Sequence, residues 1–152
     1  MKRAVFALVL ALACSKHESA PVATATAPDP CTLITADDLK QITSVPVREG
    51  SAAGDANVAT KCVWQEGGEA GAGAITVGIH VSGIELLLGQ LRQLPGNEKL
   101  DLGEESFWSN AINQLTVRTG DRVVTVNFNT SGGAAEHKAQ AIEIAKKVIA
   151  QL

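Results

Sequence analysis

From residue 74 to residue 81 the chain alternates, with Ile75, Val77, Ile79 and Val81 apolar and Ala74, Thr76, Gly78 and His80 small or polar. Period two over eight residues predicts a strand with one apolar and one polar face. The alternation returns in Leu115 and Val117, then in Val124, Val126 and Phe128, interrupted at Gly120-Asp121. A hairpin is expected there, with these five side chains on one face. A third strand is read at 61–66, "KCVWQE", joined to 74–81 through the permissive "GGEAGAG" as a second hairpin.

Elsewhere the spacing is helical. Ile84, Leu87, Leu88, Leu91 and Leu94 predict an amphipathic helix capped by Ser82 and Glu85 and stopped by Pro95-Gly96. Ala141, Ile142, Ala145, Val148, Ile149 and Leu152 mark the inward side of a closing helix over about 133–151. In it Glu143 and Lys147 are spaced for an ion pair, and Lys146 and Lys147 suit the negative end of the helix dipole. Thr35 and Asp38 form a capping box for a short helix over about 36–43, with Leu33 or Ile34 packing on Leu39. Pro46 confines "SVPVREG" to a brief extended edge piece, and the Gly, Ala and Asp-rich stretch 50–59 reads as a loop. Strands with one polar face imply an antiparallel sheet solvated, or only lightly covered, on that side. The expected fold class is therefore α+β: a two-layer sandwich of two hairpins with the helices on one face.

The amino-terminal segment alters the picture of where this domain works. Lys2 and Arg3, an apolar run from Ala4 to Ala13 and then Cys14 have the form of a secretory signal peptide, over residues 1–13. The run is about half the ~20 residues needed to span a bilayer. The end of the run resembles a bacterial lipoprotein signal, cut before a cysteine that then carries lipid, while Ala11-Leu12-Ala13 also fits the general cleavage site of a soluble secreted or periplasmic protein. Three cysteines favour the first reading: Cys31 and Cys62 can pair in an oxidising exterior, which leaves Cys14 as the odd thiol that acylation would remove. Residues 14–30 then form a lipidated cysteine and a flexible tether rich in Ala, Thr, Pro and Ser, and 31–152 a single domain. Loss of Lys2 and Arg3 takes the net charge from -3 to -5. That balance argues against nucleic acid, whose binders carry clustered basic residues.

A Cys31–Cys62 bond would tie the entrance of the first helix to a strand and, by closing a loop of about 30 residues, contribute roughly 3 to 4 kcal/mol. The rival reading, a metal or redox pair, lacks a C-x-x-C spacing and a histidine at ligand distance along the chain. The order "DPCTLITADDL", "CVW", "LGEESFW", "LTVRTGDRVVTV" and a closing helix, over about residues 29–150, resembles a family of small bacterial envelope lipoproteins classed as a domain of unknown function. That resemblance implies an exported, disulfide-bonded α+β domain and brings no catalytic residues with it.

The candidate chemistry is sparse. His17 lies in the tether, His80 at a strand end on the polar face, and His137 beside Glu136 at the start of the closing helix; neither domain histidine has a sequence partner that would orient it as a base. Asp101, Glu104 and Glu105 lack the alternating spacing of a calcium loop, and the glycine-rich "GGEAGAGAI" precedes a strand where a phosphate cradle would open a helix. No cofactor or metal is expected, and no enzyme. With the signal removed the chain has four aromatics and no tyrosine. Trp64 shares a strand face with Cys62 and is expected to pack on the disulfide, whereas Trp108 is divided between a core position and a groove lining. The expected binding surface is the polar sheet face, Thr76, His80, Thr116, Arg118 and Asn127, with Trp108 beside it. Its expected partners are the membrane, through the lipid, and an envelope protein or other envelope component. The alternative is a carrier holding a small apolar ligand or lipid between sheet and helices.

Overall fold

Asp29 opens the folded domain: its carboxylate accepts a 2.9 Å hydrogen bond from the Cys31 backbone N–H and caps a one-turn helix, α1 (Pro30–Leu33). In this computed structural model residues 26–67 and 73–152 are described. The expected signal peptide, Cys14, His17 and the greater part of the tether lie outside the described residues, as does the middle of "GGEAGAG". The fold begins earlier than the composition suggests. Ala27 is buried, its N–H donates to the Ala56 carbonyl at 2.8 Å, and the Pro28 carbonyl accepts from the Thr60 hydroxyl at 2.5 Å, so residues 27–30 belong to the domain and not to the tether.

The elements then run α2 (Ala36–Thr43), β1 (Ser51–Asp55), β2 (Ala59–Gln65), β3 (Ala74–His80), α3 (Ile84–Gln93), β4 (Asn97–Leu100), β5 (Glu105–Ser109), β6 (Gln114–Thr119), β7 (Arg122–Asn129) and α4 (Ala134–Ile149). Every pairing is antiparallel, and one seven-stranded open sheet results, in the order β1-β2-β3-β7-β6-β5-β4. The chain is α+β, with both expected hairpins present. β6 and β7 turn at Gly120-Asp121 with Leu115 opposite Val126 and Val117 opposite Val124. The capping box of α2 forms as expected, Thr35 and Asp38 each accepting the other's backbone N–H.

Alternation along the strands divides the side chains between two faces. On the first, Cys62, Trp64, Ile75, Val77, Ile79, Leu115, Val117, Val124, Val126 and Phe128 meet Ile34, Leu39, Ala141, Ile144, Ala145 and Val148 from α1, α2 and α4 in the main core. Ile144, not anticipated as an inward residue, is fully buried, while Ile142 and Ile149 are only half-buried. The second face is not free of helices. Leu88 and Leu91 of α3 pack on Phe107 and Val123, which point away from the main core, so α3 lies across part of the face expected to be solvated. The layout of helices on one side alone is corrected accordingly: α1, α2 and α4 share one face and α3 takes the other. Two further local expectations change. Gly83, at φ +65°, precedes α3 in place of a Ser82 cap, and Lys147 pairs with Asp38 across α2 and α4 while Glu143 takes Lys146.

Candidate functional site

Cys31 and Cys62 form a disulfide, with Cα atoms 5.2 Å apart. It joins α1 to β2 inside the main core, where Cys62 is fully buried. Trp64, two residues along the same face, is buried beside it; a side chain at Gly50 would run into both the Cys62 sulfur and the Trp64 indole, so the three pack together. These groups are structural, on the side of the sheet away from solvent.

The residues expected to make a binding surface separate into three groups. Trp108 is fully buried in the main core, and its Nε1–H donates to Asn110 Oδ1 at 2.6 Å. It is not part of the polar face, because alternation in β5 sends its neighbour Phe107 there instead. Thr116, Arg118 and Asn127 do lie on that face but are engaged. Thr116 is buried and accepts from the Gln114 amide, and the Asn127 amide donates to the Ile112 carbonyl at 2.7 Å. Arg118 is held by Glu85 of α3 at 2.5 Å and by Glu104 at 3.4 Å. Alongside it Arg92 makes a two-pronged contact with Glu105, at 2.7 and 2.6 Å, which holds the Glu105 carboxyl below the usual carboxylate range. This ion-paired seam fastens α3 over β5 and β6.

Thr76 and His80 are the remaining pair, and they stand where α3 does not reach. They line a cleft of about 300 Å³ over β2, β3 and β7, together with Gly54, Ala59, Thr60, Lys61, Gly78 and Thr125. Register explains why a hollow forms there. Across the sheet Gly78 sits between Lys61 on β2 and Thr125 on β7, and along β3 it sits between Thr76 and His80 on the same face. Four side chains therefore surround a position that carries none. A Cβ on Gly78 would come within 2.6 Å of Thr125 Oγ1 and 3.5 Å of His80 Nε2, so both groups lean over the gap. Burial favours the uncharged imidazole, and the pKa of His80 falls below its ordinary value. Lys61 is exposed and is the cleft's one fixed charge among the described residues, none of whose carboxylates lines it.

Among the described residues the side chains of Lys61, Thr76, His80 and Thr125 have no hydrogen-bond or ion-pair partner. The other domain histidine behaves differently. His137 is buried, stacks on Phe128 with ring centroids 4.8 Å apart, and shares a 3.1 Å hydrogen bond with Thr130 Oγ1. It is a locally bonded core residue. Gly78, Thr125 and Lys61 were not expected in the site. Their membership depends on which strands become neighbours, and only the placement of Gly78 on the small and polar face of its alternation was visible beforehand.

Comparison with family models, with curated proteins and with solved structures finds no match to this chain.

Proposed function

We propose that this chain is an exported lipoprotein of the bacterial cell envelope, anchored through Cys14, whose folded domain is a non-enzymatic binding module. Its recognition face is the part of the second sheet face that α3 leaves uncovered. One observation carries the reading. On the α3 side the polar groups are paired off in a closed network, whereas around Gly78 four polar side chains face solvent with their bonding capacity unused. Pockets that orient a ligand combine apolar lining with a few convergent polar groups, and this cleft has that make-up. Support for the compartment comes from the sequence pattern of residues 1–14 and from the disulfide, which suits an oxidising location.

Site-specific photocrosslinking in the host envelope tests the binding face. A crosslinker at Val63, on the open face, is expected to give a defined adduct, and one at Glu143, on the outer side of α4, none. Adducts from Glu143 alone would move the recognition surface to the helix layer. Mass analysis of the amino terminus tests the anchor: a diacylated or triacylated Cys14 is expected, and an unmodified terminus would leave a soluble exported protein.

A further inference from the structure

The occupant of the cleft can be narrowed by what surrounds Gly78. Neighbouring strands lie about 4.8 Å apart and alternate residues along a strand about 7 Å apart, so the missing side chain leaves a hollow the width of one small planar group. Its rim consists of an ammonium from Lys61, hydroxyls from Thr76 and Thr125, and an imidazole from His80. All four can donate a hydrogen bond, and no acid stands among them. Around this polar ring the walls are Gly54, Ala59 and the methyl groups of the threonines, which suit an apolar body attached to the polar group.

We infer that the Gly78 hollow binds the carboxylate head of a small organic anion, with Lys61 Nζ as its counter-ion and Thr76, Thr125 and His80 donating to its oxygens. The assignment rests on the recognition face proposed above and names the chemistry of its ligand. Charge decides between anion types. Among the described residues the cleft offers one fixed positive charge, Lys61, so a single negative charge is matched and a dianionic phosphate is not. The volume, near 300 Å³, lies at the small end of ligand pockets and suits a short-chain acid.

Hexanoate titrated into the full chain and followed by amide NMR tests this. Saturable shifts are expected at Lys61, Thr76, Gly78, His80 and Thr125, with Lys61→Gln weakening binding about tenfold and Lys61→Arg largely retaining it. Gly78→Ala fills the hollow and is expected to abolish binding. Should that variant fail to fold, Lys61→Gln, at an exposed side chain, still decides the matter. No saturation at millimolar hexanoate overturns the assignment, and so do equal shifts from hexan-1-ol or hexylammonium, or tighter binding of hexyl phosphate. If crosslinks from Val63 persist while hexanoate produces nothing, the carboxylate assignment fails and the recognition face stands.

Discussion

Replacing both Cys31 and Cys62 by alanine should destabilise the domain by a calculable amount. The bond spans a sequence separation of 31 residues. In the chain-entropy treatment a loop of that length restricts the unfolded chain by about 12 cal/mol/K, which is about 3.7 kcal/mol at 25 °C. Loss of the buried Cys62 sulfur beneath Gly50 adds a small packing term in the same direction. Against a total stability of roughly 5 to 15 kcal/mol this is a large fraction. Urea unfolding measures it through the fluorescence of Trp64 and Trp108, both fully buried and placed in β2 and β5, so that both halves of the sheet contribute to the signal. With an m-value of about 1.5 to 2 kcal/mol/M the midpoint should fall by about 2 M. Because the effect acts on the unfolded ensemble, the m-value should also rise as that ensemble expands. A midpoint shift under about 0.5 M with an unchanged m-value would refute the reasoning.

Other consequences can be measured on the same material. Leu88→Ala removes the buried centre of the contact between α3 and the sheet, and a loss of about 2 to 5 kcal/mol is expected from urea unfolding. A loss under about 1 kcal/mol would mean that α3 does not dock on Phe107 and Val123. Thr35→Ala deletes the α2 cap and should cost about 1 kcal/mol by the same method. Asp38 accepts from Lys147 and from the Thr35 backbone, and these bonds lower its pKa from the ordinary 3.8. The carboxylate is thus preferred in the folded state, and its stabilisation is complete above the unfolded value and disappears as pH falls through the lower folded one. Asp38→Asn should accordingly be less stable than the parent at pH 7, with the difference closing below pH 3.8; a difference that widens in acid would contradict the assignment.

How far the fold could be read in advance depended on whether burial was one-sided. In β3, β6 and β7 the residues opposite the main core are small or polar except at Val123, so Ile75, Val77, Ile79, Leu115 and Val126 alternate cleanly with them. β5 is covered on both faces, Trp108 by the main core and Phe107 by α3, and its two adjacent aromatics erased the period. β1 fails for the opposite reason. All five of its residues are exposed, so "SAAGD" has no pattern at all and is a strand because β2 offers it an edge. The position of α3 was misjudged because Thr76 and His80 made the whole second face look polar, although Phe107 and Val123 give half of it an apolar patch. For the site, Thr76 and His80 were legible as polar positions in an alternation. The hollow itself was not, since it requires Lys61 and Thr125 to flank Gly78 from two other strands, and cross-strand adjacency is a property of the assembled sheet.

The sulfur bridge also sets the route of mechanical load. Tension applied through the amino-terminal segment first meets the hydrogen bonds of Ala27 to Ala56 and of Pro28 to Thr60, and beyond them crosses from Cys31 to Cys62 without passing through α2 and β1. Those elements can fray without loosening the hold. Cys62 is the residue next to Lys61. If the amino terminus is tethered and a ligand seats over Gly78, as proposed above, a pull between the two runs through this covalent link and the single interior strand β2.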